Sequence, residues 1–374
     1  MSLVTFLGIY FVREAGIDLA AVGLAYLCEN VTRGALAPMF GALSDRIGRR
    51  PLLLASYMAT GVVLPCFLLV GGPASLVVWS LALGAAGAVS IPVSSALLLD
   101  LAPPERRQSV LAVNYTAISV AYTLAVVPAG YVAQHSYPLL AALSACGYVL
   151  IVLLYVFGFK TVPPPGRSRE APNLFHEMKN LFADAVFLRF ASVAFAFPLG
   201  MGMIVAVSPL FGAGHGLGEG YIGLVLGGNS IIVALLAVPV AARIEKSGPF
   251  RWLGAAAIVV CAAFCLYALV PDAAAGLLAG TVVFSFAELV FSSAVPSAIA
   301  AISPPARRGA YQGGWSLVSS LSMGSALFLS GLLHDFIGWT GTWLAAAALL
   351  GIAAGVLLLS RRYFLRVSAL RQNA

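Results

Sequence analysis

Apolar runs of bilayer-crossing length follow one another from end to end of this chain, separated by short polar or Gly/Pro connections. They lie at about residues 1–12, 19–43, 52–70, 75–99, 109–133 and 138–159. After a connector rich in Pro and charge, six more lie at about 188–211, 220–242, 252–270, 274–301, 310–333 and 341–360. The hydrocarbon core demands about 20 apolar residues of a spanning helix, and only a helix or a closed barrel satisfies its own backbone there. Runs this long read as helices, so the expected fold is an all-α integral membrane protein with twelve transmembrane helices. Composition agrees: 61% of the 374 residues are hydrophobic and 9% are charged. Soluble chains carry about 25% charged residues, and this one in water would expose large apolar patches. No stretch is left for a sizeable soluble domain, which excludes an ATP-driven pump.

The charged residues give a test of this map that does not depend on hydropathy. Nineteen of the 21 Lys and Arg fall in the even-numbered connections and the C-terminal tail, with Arg189 at the edge of the seventh run counted with the sixth connection; Arg13 lies on the opposite side and Arg33 inside a span. By the positive-inside rule the even connections and both termini face the cytoplasm, and the expected location is a bacterial cytoplasmic (inner) membrane, crossed many times. The net charge of +7 then concerns topology and lipid, and no nucleic-acid partner is expected. The five cysteines sit in apolar runs without a zinc-type spacing and the four histidines are scattered, so neither a metal nor a cofactor is expected. The first run offers about 18 Å of helix against a core of about 30 Å, which predicts a native start about 10 to 25 residues upstream of Met1.

The chain also repeats itself. A shift of 200 residues lays Gly23 on Gly223, Leu24 on Leu224, Leu36 on Leu236, Ala37 on Ala237 and Ala42 on Ala242, and continues with Asp45 on Glu245, Arg46 on Lys246 and Gly48 on Gly248. A shift of 201 lays Pro103, Pro104, Arg106, Arg107 and Gly130 on Pro304, Pro305, Arg307, Arg308 and Gly331. The expected organisation is a six-helix half (1–159), a cytoplasmic connector (160–187), a second six-helix half (188–360) and a basic cytoplasmic tail (361–374). Parallel repeats with a substrate site between them are a transporter architecture.

The loop after the second run reads Gly41-Ala-Leu43-Ser-Asp45-Arg46-Ile-Gly48-Arg49-Arg50. It resembles the major facilitator superfamily signature G-x-L-x-D-R-x-G-R-[RK] at every defining position, and the stretch from Asp100 to Arg107 resembles that family's loop between the fourth and fifth spans. The resemblance covers the chain apart from its short first run and is nearest to the twelve-helix drug and metabolite efflux branch. It implies the superfamily fold, alternating access, a small-molecule substrate, protons and the lipid bilayer as partners, and a monomer. It also implies that Gly41, Asp45, Arg46, Gly48, Arg49, Arg50 and Asp100 form a cytoplasmic gate, with Asp45, Arg49 and Asp100 as its charge relay. The plainer alternative is that Arg46, Arg49 and Arg50 set topology and meet anionic lipid. Two features of the drug antiporters are missing. The fourth span has Ser80 and Leu83 where they carry Arg and Gln, and the fifth keeps only Pro128 and Gly130 of their G-P-x-x-G-G element.

Ionisable groups at mid-bilayer are functional candidates by default. Glu288 lies about 22 Å along the tenth helix from Pro304 and suits a proton carrier or a cation anchor. The alternative is a protonated carboxyl bonded to Ser285, Ser292 or a neighbouring helix. Glu29 and Arg33, four residues apart, share a helix face and can pair, either permanently or as a switch that substrate or proton opens. Candidate cavity residues are Tyr26, Asn30, Tyr115, Tyr122, Asn229, Trp315 and Met201, the last beside a helix break expected at Phe197-Pro198-Leu199-Gly200-Met201-Gly202-Met203. The expected function, for a protein that is not an enzyme, is proton-coupled export of small organic solutes through Glu288, Glu29 and Arg33. The alternatives are proton-coupled uptake of a sugar or organic acid and, more remotely, a membrane receptor or scaffold.

Overall fold

The computed structural model describes residues 2–103, 107–158, 181–304 and 307–372. Every regular element among them is helical. In the first half α1 (Ser2–Arg13), α2 (Leu19–Ile47), α3 (Arg49–Val63, tightening into a 3-10 turn at Leu64–Leu69), α4 (Pro73–Gly87), α5 (Ser90–Leu101), α6 (Arg107–His135) and α7 (Tyr137–Gly158) follow one another. In the second come α8 (Ala185–Ala194), α9 (Ala196–Gly202), a π-helical turn (Met203–Val207), α10 (Ser208–Gly214), α11 (Glu219–Ser247), α12 (Pro249–Leu269), α13 (Ala273–Ile302) and α14 (Arg308–Gln372).

Nine of these helical stretches are long and apolar enough to cross a membrane, among the described residues. The stretch from Ala310 to Arg371 is one of the nine, yet α14 would run about 100 Å if straight, far more than a bilayer needs. It is broken at Gly338 (φ +63°, ψ −176°), which separates the eleventh and twelfth apolar runs as two legs of one helix. α2 is not among the nine, and α1 is a short apolar helix. The seventh run crosses as one stretch from Ala185 to Gly214. Phe195 keeps helical dihedrals and Pro198 and Gly200 lie in regular α-helix, so the break expected at 197–203 is present only as the π turn that starts at Met203.

Boundaries follow local chemistry. Asp18 and Asp184 cap α2 and α8 by accepting backbone N–H bonds, as Asp272 caps α13. Gly48 (φ +96°) and its repeat partner Gly248 (φ +82°) each end one helix and begin the next, a conformation open mainly to glycine.

The halves meet along two helix pairs that the repeat relates to each other: α2 with the first leg of α14, and α11 with α6. Small residues set the spacing, since lipid gives helices no hydrophobic reason to associate and close packing must do so. A Cβ on Gly23 would lie 2.5 Å from the Phe328 Cα, and one on Gly331 would lie 2.8 Å from the Ala20 Cα. The second pair has the equivalent contacts: Gly223 lies against the Val126 carbonyl and Gly130 against that of Glu219. Further along, Gly324 meets Leu27 and Asn30, Gly34 meets Ser320, and Gly227 meets Val127 and Thr123.

Candidate functional site

The α2 pair is formed. Arg33 Nη2 donates to Glu29 Oε1 at 2.5 Å, and Glu29 is 4% exposed. Two glycines of α4 let that helix lie on the pair. A Cβ at Gly84 would sit 2.5 Å from the Glu29 carbonyl oxygen, and one at Gly87 would sit 3.2 Å from Arg33 Nη2. Arg33 Nε is buried without a hydrogen-bond partner among the described residues. One turn earlier, Asn30 Nδ2 donates to the Tyr26 carbonyl at 2.9 Å.

The second half carries a matching cluster. Asn229 Nδ2 donates to Glu288 Oε2 at 3.0 Å, and Ser285 Oγ donates to Asn229 Oδ1 at 2.6 Å. Ser285 also bonds the Thr281 carbonyl, and the Thr281 hydroxyl meets the Tyr267 hydroxyl at 2.6 Å. The shifts of 200 and 201 make Asn229 the equivalent of Glu29, Ser285 of Gly84 and Glu288 of Gly87. The same pair of repeat-related helices thus holds a carboxylate and a guanidinium in one half (α2 against α4) and an amide and a carboxylate in the other (α11 against α13). Tyr122 of α6 bonds the Thr5 hydroxyl of α1 at 3.2 Å and lies near Glu288 and Tyr26.

At the end carrying the basic loops, Arg49 pairs with Asp100 through Nε and through Nη2 at 3.3 Å. Arg50 donates to the last carbonyls of α7, Tyr155 at 3.1 Å and Val156 at 3.0 Å, where a cation is favoured. Arg46 is exposed, and a Cβ on Gly41 would meet open space. The side chains of Asp45 and Tyr115 and most of the connector, residues 159–180, lie outside the described residues, as do Met1, Pro104, Pro305 and Arg106.

Sequence reasoning missed two clusters. At the end away from the basic loops, Arg13 of α1 pairs with Glu219 of α11 at 3.7 Å and donates to the Ala213 carbonyl. The shift of 200 lays Arg13 on Ala213, so the contact joins two repeat-equivalent positions. That Arg13 is the lone basic residue of its side was the available signal. At the basic end, Asp184 accepts from the Tyr311 hydroxyl and from Arg371 Nη2 at 2.7 Å, while Arg371 Nη1 donates to the Ile302 carbonyl at 2.6 Å. Burial pushes the Asp184 carboxyl up, but the bonds from Tyr311, Arg371 and the Val186 N–H outweigh it and hold the group below its usual range. This cluster ties the tail to the ends of three helices, which no local pattern announces.

Two remaining candidates take their places without joining these clusters through a side-chain bond. Trp315 packs on Phe190 with ring centroids 6.2 Å apart, and Met201 is half-buried just before the π turn. An apolar groove of about 550 Å³ between α3 and α4, lined by Val62, Val63, Cys66, Val78 and Trp79 among others, shares no residue with the polar site.

Comparison with known proteins agrees with this architecture. A bovine protein, Major facilitator superfamily domain-containing protein 10 from Bos taurus, is 30% identical over 169 residues, 42% of this chain and 34% of the relative. A Na(+), Li(+), K(+)/H(+) antiporter of Planococcus maritimus is 32% identical over 125 residues, 32% of this chain and 29% of the relative. The chain thus matches about a third of the length of these relatives. Among solved structures, the human organic anion transporter MFSD10 superposes with a TM-score of 0.65 at 18% identity, covering 90% of this chain and 83% of its own. A POT family transporter bound to a thioalcohol-conjugated peptide superposes with a TM-score of 0.81 at 12% identity, covering 97% and 93%. The Major Facilitator Superfamily profile matches residues 1–221 and again 213–372. With that double match over a repeated, all-helical architecture, the chain belongs to the Major Facilitator Superfamily and is a multi-pass membrane protein.

Proposed function

We propose that this chain is a proton-coupled secondary active transporter that exports small organic solutes by alternating access. The observation that carries the reading is Glu288, bonded through Asn229 to Ser285 in one half, with the Glu29–Arg33 pair at the repeat-related place in the other. A carboxylate at such depth is costly when charged, and taking a proton relieves the cost, which is what a coupling residue needs. Tyr26, Tyr122 and Asn229 lie around these groups and offer a solute polar contacts.

In this reading the basic end faces the cytoplasm of a bacterial inner membrane. The close glycine contacts between the halves lie toward the Arg13 end, which supports a conformation closed outside and open to the cytoplasm. Asp45, Arg49 and Asp100 would close the other side, and Arg49 and Asp100 are already paired. The names of the two relatives, one an ion/proton antiporter and one an organic anion transporter, support ion coupling and an organic solute here.

The test is accumulation of a chemically varied compound panel in efflux-deficient cells, comparing wild type with Glu288→Gln, with and without a protonophore. Export predicts reduced accumulation of some compound, lost both in the variant and with the protonophore. Unchanged accumulation of every compound would overturn the reading. Raised accumulation would support a second reading, uptake of an organic acid together with a proton. The direct bond between Glu29 and Arg33 favours it, because an anion on Arg33 and a proton on Glu29 bind together.

A further inference from the structure

We infer that the transported solute carries a single negative charge, and that Arg33 is the residue that receives it, with Glu29 holding the place until the solute arrives. The inference rests on the transporter reading and names its solute class; because anion and proton bind together in it, it goes with the second reading, uptake together with a proton.

Arg33 remains charged under all relevant conditions, and in this structure Glu29 satisfies it through Nη2. Nε stays buried without an acceptor among the described residues, a costly state for a donor and one that a second, planar anion would relieve through the side-on fork of a guanidinium. The other half shows what a completed version looks like. Asn229, standing where Glu29 stands, both donates to Glu288 and accepts from Ser285. Val233 occupies the place of Arg33, and Gly87 the place of Glu288. With no side chain at 87, no fixed carboxylate approaches Arg33 from α4, so the guanidinium keeps unused donor capacity that its repeat-related counterpart has no need of.

Displacing Glu29 from Arg33 leaves a buried carboxylate without its cation, and a proton from the aqueous side neutralises it. Anion binding and protonation of Glu29 therefore strengthen each other. The groups around the pair are Tyr26 on α2, Tyr148 on α7, which lies near both charges, and Tyr122 on α6, with Glu288 beyond it on α13. α4 and the first leg of α14 present Gly84, Gly87, Ser320 and Gly324 to this part of α2, none of which titrates.

The experiment measures binding of two probes to the full chain in lipid nanodiscs at pH 5.5 and 7.5: benzenesulfonate, an anion at both values, and phenyltrimethylammonium, its cationic counterpart. Benzenesulfonate is expected to bind, more tightly by up to about tenfold per pH unit on acidification. Glu29→Gln should bind it with that pH dependence lost, Glu288→Gln should retain the dependence, and Arg33→Gln should lose binding with its melting temperature monitored to show that it is folded. Preference for the cation, absence of benzenesulfonate binding, or unchanged binding in Arg33→Gln would each overturn the inference. Flux in proteoliposomes separates the two levels. Proton-driven movement of an amine that ignores Arg33→Gln would sink the anion site and leave the transporter reading standing. Benzenesulfonate binding at Arg33, with no flux of any solute, would do the reverse.

Discussion

Arg13 and Glu219 join the two halves at the end opposite the basic loops, with Nη1 3.7 Å from Oε1. Arg13 also reaches the carbonyl of Ala213, and these contacts must break if that end is to open. The Arg13 side chain is 44% exposed and that of Glu219 10%, so the pair contributes about 1 kcal/mol or less. Arg13→Ala and Glu219→Gln should each shift the conformational equilibrium toward opening at this end by up to about fivefold. Thiol labelling of cysteines placed just inside the latch checks this, and an unchanged labelling rate in both variants would mean that the glycine contacts alone hold the end closed.

Replacing Glu288 with Gln keeps the hydrogen-bonding shape around Asn229 but removes the titrating group. Proton-driven accumulation of substrate should be lost while counterflow exchange persists. Asn229→Ala should weaken coupling less severely, because Ser285 still bonds the Thr281 carbonyl while the Glu288 carboxyl loses its amide donor. Wild-type proton-driven accumulation in Glu288→Gln would remove this residue from the coupling step.

Gly84 is the tightest point around the α2 pair. Gly84→Ala places a methyl group 2.5 Å from the Glu29 backbone oxygen, against main chain that cannot swing aside. Overpacking of this kind costs about 1–3 kcal/mol, read as a lower melting temperature in detergent. Gly41→Ala, where a Cβ would meet open space, should leave the melting temperature nearly unchanged.

The Asp184 carboxyl is held below its usual range by Tyr311, Arg371 and the Val186 N–H, against the upward push of burial. A depressed folded value means stability that is fully present above the unfolded value of about 3.9 and lost as pH falls through the folded one. Arg371→Ala should therefore destabilise by about 1–3 kcal/mol at pH 7, with the gap to wild type shrinking only below about pH 4. A gap that closes already between pH 7 and 5 would contradict this assignment.

If the loop after α2 gates the cytoplasmic side as proposed, Asp45→Asn should slow conformational cycling while leaving expression and thermal stability unaltered, with Asp100→Asn acting in the same direction by weakening its pairing with Arg49. Single-turnover substrate release against melting temperature distinguishes the two quantities. A large drop in melting temperature for Asp45→Asn would make the motif structural.

Much of this was legible in the chain itself, for a physical reason. A bilayer permits a helix few alternatives, so length and hydropathy announce the nine membrane-crossing stretches found among the described residues, while α1 is too short and α2 not apolar enough to be counted with them. Charge placement and the offset of 200 between Gly23 and Gly223 announce two related halves. Glu29 and Arg33 pair as their spacing requires, because four residues always share a helix face. Which distant residues meet could not be read this way. Glu288 found Asn229, Arg13 found Glu219, and Arg371 in the last turns found Asp184 and Ile302, each across helices whose rotation is set by small residues packing against main chain. Sequence periodicity determines what a helix offers on each face; the fit of Gly23, Gly84, Gly130 and Gly331 against their neighbours' main chain decides which faces touch, and so which polar groups become a site.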